Sequence, residues 1–159
     1  MKTSLIACLA ALAALALAPV ASAQTVDDVI ELLRHDLNTE ATAIMTEALA
    51  LDSGQSEIFW PIWREYNLEW SKTGDDQLAL LKDYAEHQMN MDDEKAKELA
   101  ERAFKIEEQR LKLRKKYWKK VEKELGGVIA ARFVQVDRQL SNLVQLQISS
   151  QVPLVQAPQ

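Results

Sequence analysis

The residues best equipped for recognition chemistry are the lysines of 105–123. That segment carries nine basic and three acidic side chains, while residues 75–101 carry nine acidic and three basic. Lys105, Lys112, Lys116, Lys119 and Lys123 step by seven, four, three and four, a spacing that sets them in one stripe of a helix. The stripe runs beside an apolar line at Ile106, Leu113 and Tyr117, with Trp118 next to it. Lysine stems cover apolar surface while the ammonium stays in water. Such an edge suits weak, tolerant contact with chains that are part apolar and part acidic. It also reads as a solvated flank braced by i,i+4 pairs such as Glu108–Lys112.

A second constellation is His87-Gln88-Met89-Asn90-Met91-Asp92-Asp93. The imidazole of His87 and the thioethers of Met89 and Met91 are soft donors that suit Cu(I) when an extended loop presents them. His35 is the other of the two histidines, and two histidines with no paired cysteines fall short of a structural zinc site. The sequence calls for no cofactor. It offers no catalytic residue either: no nucleophile elbow, no glycine-rich phosphate loop and no zinc-protease helix motif. Trp60, Trp63, Tyr66 and Trp70 cluster at spacings that match a buried helix face. Either Trp60 or Trp70 becomes a partner-contact candidate if it turns outward.

The elements that must position these groups are helices. Val26, Ile30, Leu33, Leu37, Ala41, Ile44, Ala48 and Leu51 step by three and four, predicting a first helix with one apolar stripe. Asp52-Ser53-Gly54 interrupts it and supplies a cap for a second helix, with Ile58, Phe59, Ile62, Trp63, Tyr66 and Trp70 on its buried side. Pro61 inside that run predicts either a later start or a kink. Gly74 weakens the helix, and Leu78, Leu81, Tyr84 and Ala85 resume the period. Asn90 to Asp93 punctuates. A long third helix then carries Ala96, Leu99, Ala103, Ile106, Leu113, Tyr117, Val121 and Leu125, flanked by Phe104, Leu111 and Trp118. Gly126-Gly127 ends it, and a fourth helix carries Ile129, Phe133, Val136, Leu140, Leu143 and Val144. Short connections between four helices predict an all-α, hairpin-like bundle or cradle. Across both junctions a leucine and a phenylalanine stand eight apart: Leu51 with Phe59, and Leu125 with Phe133.

The N-terminus carries an address. Lys2, an apolar run from Leu5 to Val20, and Ala21-Ser22-Ala23 have the order of a cleaved secretory leader. The expected organisation is a leader over 1–23, a helical domain over 24–148 and a tail over 149–159, with the processed chain periplasmic or secreted. Processing removes Lys2 and the single cysteine, Cys8, leaving 18 basic and 24 acidic side chains. A net acidic, exported chain excludes nucleic acid as a partner. Without cysteines, apolar packing or oligomerisation must hold the fold. No membrane span is expected after processing.

The first junction reads Leu51-Asp52-Ser53-Gly54-Gln55, and the second Leu125-Gly126-Gly127-Val128-Ile129 followed by Ala130-Ala131-Arg132-Phe133. These stretches resemble the LTxxQ family of small periplasmic helical proteins, which includes the Spy and CpxP chaperones and related stress and metal sensors. At the first, leucine and glutamine are in place, with aspartate where threonine is usual; the second keeps the leucine. Glu57-Ile58-Phe59-Trp60-Pro61-Ile62-Trp63 is also similar to a run in small exported helical proteins of this layout. The resemblance covers about residues 27–155 as an architecture. The resemblance implies a four-helix cradle, homodimeric in its assembly, that binds unfolded or partly folded envelope proteins or grips a periplasmic sensor domain. Its metal-sensing relatives imply the alternative of a heavy-metal sensor. The positions that match its motif are Leu51, Asp52, Gln55, Phe59, Leu125 and Phe133.

Overall fold

Asp52 separates two helices by closing a reciprocal cap. Its carboxylate accepts from the Gln55 backbone N–H at 2.9 Å, and the Gln55 side-chain oxygen accepts from the Asp52 N–H at 3.1 Å. Two of the orphan donors at a helix start are thereby satisfied at once. The computed structural model describes residues 39–155, apart from the side chain of Gln151. Among the described residues there are four helices and no strand: α1 over 39–49, α2 over Ser53–His87, α3 over Asp93–Leu125 and α4 over Gly127–Gln151. The chain is all-α, as its periodicity predicts. It divides into the units Met1–Thr39 and Glu40–Gln159, and the second holds the packing described below. The leader with Cys8, the processing point near Gln24, Val26, Ile30, Leu33, His35, Leu37 and Pro158 lie outside the described residues.

Each junction has its own local cause. Ala50 ends α1 with a positive φ of 46°, a conformation that costs a non-glycine residue roughly 1–2 kcal/mol. Asp92 caps α3 by accepting from the Lys95 N–H at 2.7 Å, and Asp93 and Glu94 occupy its first turn, where the helix dipole favours acidic groups. Gly126 alone separates α3 from α4. At φ 86° and ψ 164° it occupies backbone space open essentially only to glycine. Its N–H donates to the Glu122 carbonyl at 2.9 Å, and its carbonyl accepts from the Ala130 N–H at 3.1 Å.

Side chains of all four helices meet in one aromatic core. Phe59, Tyr66, Tyr117 and Phe133 are each no more than 1% exposed, and Met45, Leu49, Ile62, Trp63, Val121 and Ala130 are buried with them. Phe133 stands edge-on to Phe59, Trp63 and Tyr66, with centroids 6.0, 6.1 and 5.5 Å apart, the arrangement ring quadrupoles favour. The two phenylalanines of the repeated spacing therefore meet, and Leu51 and Leu125 pack against the same cluster. Trp60 and Trp70 are half-buried against it rather than turned outward.

The sequence reading needs four corrections. On α1 the buried line is Met45 and Leu49, while Ile44 is 43% exposed and Ala48 is exposed. This helix is apolar around much of its circumference, so its neighbours select the buried face. Ile58 is 42% exposed because the face of α2 that meets α3 and α4 runs through Phe59, Ile62, Trp63 and Tyr66. Leu143 is 62% exposed, on the rim of α4 beyond the line of buried Phe133 and Asp137 and half-buried Leu140. Pro61 does not delay α2: of the two expected outcomes the later start is excluded, since the helix starts at Ser53 and runs on through the proline, with Phe59, Ile62 and Trp63 buried around it. Among the described residues no helix is long and apolar enough to cross a membrane.

Candidate functional site

α3 packs against both α2 and α4, so its faces have different fates. One face enters the bundle and supplies cations to the interior. Arg114 Nε donates to Asp137 Oδ2 at 2.5 Å and its Nη2 to Ser141 at 3.3 Å; the Tyr66 hydroxyl donates to Asp137 Oδ1 at 2.6 Å. A turn earlier Arg110 donates to Thr73 at 3.1 Å and to Gln77 at 2.5 Å, and Gln77 reaches Gln145 at 3.1 Å. The Trp70 ring lies under both guanidinium groups, 5.3 and 5.2 Å from its centroid, a cation–π arrangement. α2, α3 and α4 are thus joined by a polar ladder above the aromatic core.

The electrostatics of this ladder is structural. Burial first, and the Asp137 carboxylate second, push the Tyr66 phenol far above its ordinary value, keeping it a neutral donor. Burial, with the like charge of Arg114, pulls Arg110 below its usual range. Two open grooves run between the helices. One, about 480 Å³, runs between the ends of α2 and α4 and is lined by Leu81, Tyr84, Ala85, Gln147, Ile148 and Val152. The other, about 420 Å³, lies between α2 and α3 and is lined by Glu69, Lys72, Thr73, Gln109, Lys112 and Leu113.

The lysine stripe divides. Lys116 donates to Glu69 at 2.6 Å, and its ammonium lies 4.9 Å from the centre of the Tyr117 ring, whose hydroxyl donates to the same carboxylate at 2.7 Å. These hydrogen bonds, from Lys116 first, hold the Glu69 carboxyl below its usual range. Lys116 is thus a tie to α2, as is Lys120, which reaches Glu65 at 2.5 Å and which the lysine spacing did not single out. Lys112 and Lys123 make only loose pairs within α3, to Glu108 at 3.9 Å and Glu124 at 3.4 Å. Lys105 and Lys119 are exposed and make no ion pair among the described residues. Trp118 is half-buried against the core. Beside Lys112, the Gln109 side-chain oxygen is buried without a hydrogen-bond partner among the described residues.

The other predicted residues fall into two groups. Leu51, Phe59, Leu125 and Phe133 are core or core-edge, and Asp52 with Gln55 is the cap of α2; all six build the helix junctions. His87 lies in the last turn of α2, Met89 is 76% exposed and Met91 half-buried. The groups gathered around the imidazole are carboxylates: ligand atoms of Asp83, Glu86 and His87 lie within 4.8 Å of one another. Asp83 is already engaged by Arg102 and, at 2.9 Å, by Lys95, and these two hydrogen bonds hold its carboxyl below the ordinary range. Sequence reading missed Arg110, Arg114 and Asp137 as partners. The signal was present, since all three stand at core spacing beside Leu113, Tyr117, Phe133 and Leu140. No family model, no curated protein and no solved structure matches the chain.

Proposed function

We propose that this is an exported, non-enzymatic helical protein that binds unfolded or partly folded envelope proteins, or one signalling partner, in the manner of the Spy and CpxP chaperones it resembles. The observation that carries the reading is the edge of the α2–α3 groove. Lys112 projects there without a tie to another helix, next to Leu113 and to Gln109, whose side-chain oxygen is buried without a partner among the described residues. A shallow groove of this kind offers apolar contact and steering charge, with nothing that selects a particular side chain.

The test is suppression of light scattering by a denatured reporter protein. Stoichiometric amounts should suppress it, and Lys105→Glu/Lys112→Glu should weaken the effect and its salt dependence. No suppression at that ratio removes the chaperone reading. A single saturable partner in a pull-down from envelope extract replaces it with the signalling one. Export is checked by the mass of the protein recovered from the periplasm, which should begin near Gln24.

The second reading, a metal sensor, rests on the Asp83, Glu86 and His87 cluster together with Met89 and Met91. Binding there must displace Lys95 or Arg102 from Asp83, so affinity should rise in Lys95→Met. Calorimetry with Zn(II) and Cu(I) that gives no heat above buffer for either protein removes it.

A further inference from the structure

The turn between α2 and α3 carries two of the chain's four methionines, and their exposure is graded. Met89 is 76% exposed and Met91 half-buried, while Met45 is fully buried in the aromatic core. The turn itself is short: Gln88 closes α2, Asp92 caps α3, and the Asn90 N–H donates to the His87 carbonyl at 2.9 Å. Met91 stands where a change of polarity reaches the fold. It precedes the Asp92 cap, and Ala96 holds the fourth helical position of α3. An apolar pair at these two places is the staple that fixes how a chain enters a helix, and both residues are half-buried. The helical turn that begins there carries a clasp onto α2. The Lys95 N–H donates to the Asp92 carboxylate at 2.7 Å and the Ala96 N–H to the Asp92 carbonyl at 2.9 Å. The Lys95 ammonium reaches Asp83 at 2.9 Å, and Arg102 engages the same carboxylate.

We propose that this turn is a site of reversible methionine oxidation by peroxides, with Met89 reacting first and Met91 second. The sulfur lone pair forms an S–O bond as the peroxide O–O bond breaks. The sulfur is oxidised to the sulfoxide, the peroxide is reduced, and water leaves after a proton shift. Reactivity of a thioether follows its access to solvent, which sets the order Met89, Met91, Met45. Oxygen on Met89 leaves the bundle unchanged, because that side chain already lies in water. Oxygen on Met91 turns a half-buried apolar group into a polar one, which costs the entry to α3 its apolar staple. The first turn of α3 then frays, and Lys95 leaves Asp83. Met45 is spared while the bundle stays folded. The inference needs neither a metal ion nor a client, so it stands apart from both readings of function.

The test treats the folded full chain, carrying Cys8→Ser so that no thiol competes, with hydrogen peroxide and follows each methionine by peptide mass spectrometry. Met89 should oxidise at least about fivefold faster than Met91 and at least about fiftyfold faster than Met45. Once both turn methionines are oxidised, Tm should fall by roughly 3–5 °C, and hydrogen exchange should quicken at the Lys95 and Ala96 amides. Met91→Leu, a swap of similar volume, should keep its Tm and its protection under the same treatment. Met89→Leu should lose them as the parent does. Methionine sulfoxide reductases for both sulfoxide epimers, with a dithiol as reductant, should restore the oxidised parent. Met91 or Met45 reacting ahead of Met89 overturns the proposal. So does an oxidised parent with Tm and exchange unchanged, an equal loss in Met91→Leu, protection by Met89→Leu, or a loss that the reductases do not reverse.

Discussion

Replacing Asp137 by alanine tests the central ion pair of the bundle. Asp137 is 5% exposed and accepts from Tyr66 at 2.6 Å and Arg114 at 2.5 Å. Deleting one partner of a buried ion pair costs roughly 3–5 kcal/mol, because the other charge stays buried without compensation. The Arg114 side chain is 17% exposed and keeps Ser141 and the Trp70 ring, which points to the low end, about 3 kcal/mol. Asp137→Asn keeps one acceptor and should cost about half as much. For a domain of this size each kcal/mol moves Tm by roughly 3–5 °C, so Asp137→Ala should melt about 10–15 °C below the parent. The assay is urea and thermal unfolding followed by far-UV dichroism, with a double-mutant cycle through Tyr66→Phe that should return a coupling of about 1 kcal/mol. The control is Glu65→Ala, whose partner Lys120 is 42% exposed, and its cost should be under about 0.5 kcal/mol. If Asp137→Ala falls within about 0.5 kcal/mol of the parent, the reasoning that this pair locks α2, α3 and α4 together is refuted.

Three further predictions follow from local geometry and can be read by the same unfolding assay. Asp52→Ala should cost about 1 kcal/mol through loss of the reciprocal cap, while Asp52→Thr should stay within a few tenths; equal losses would mean that the cap contributes nothing. Ala50→Gly should stabilise by about 0.5–1 kcal/mol and Gly126→Ala destabilise by about 1–3 kcal/mol, since both residues hold positive φ and a Cβ at Gly126 meets nothing within 4 Å. The same sign for both would refute the backbone argument. For pH, Asp83 and Glu98 are held below their ordinary range, each by its hydrogen bond from Lys95 first and from Arg102 as well. Their contribution is therefore present above the unfolded carboxyl values near pH 4 and is lost as pH falls through the depressed folded ones. Asp83→Asn/Glu98→Gln should accordingly flatten the acid limb of the Tm-against-pH curve, and a limb parallel to that of the parent refutes the clasp.

The stretches that were legible owe it to chemistry carried by adjacent residues. Asp52 and Gln55 cap a helix because they stand three apart, and Gly126 breaks one because only glycine tolerates its backbone angles. Leu99, Ile106, Tyr117 and Val121 are buried as their spacing predicts, because most other positions of α3 are polar and leave that line the best apolar face. The misplaced residues share the opposite property. Ile44 and Ile58 sit in segments apolar on more than one side, where periodicity cannot choose a face. The functional reading was harder to draw from spacing, since Lys116 and Lys119 look alike along the chain while only Lys116 has a carboxylate of α2 within reach.

Sequence alone determined that the chain is helical, where each described junction falls, and that one segment of α3 is basic and its neighbour acidic. These follow from forces acting within a few residues: caps, backbone freedom and the 3.6-residue period. Only the tertiary structure decided which cations became internal ties and which stayed in water. Arg110, Arg114 and Lys116 are tied because Thr73, Asp137 and Glu69, from 23 to 47 residues away, come within hydrogen-bond reach. Such meetings depend on how whole helices stack, since the aromatic core sets the register that brings those side chains together.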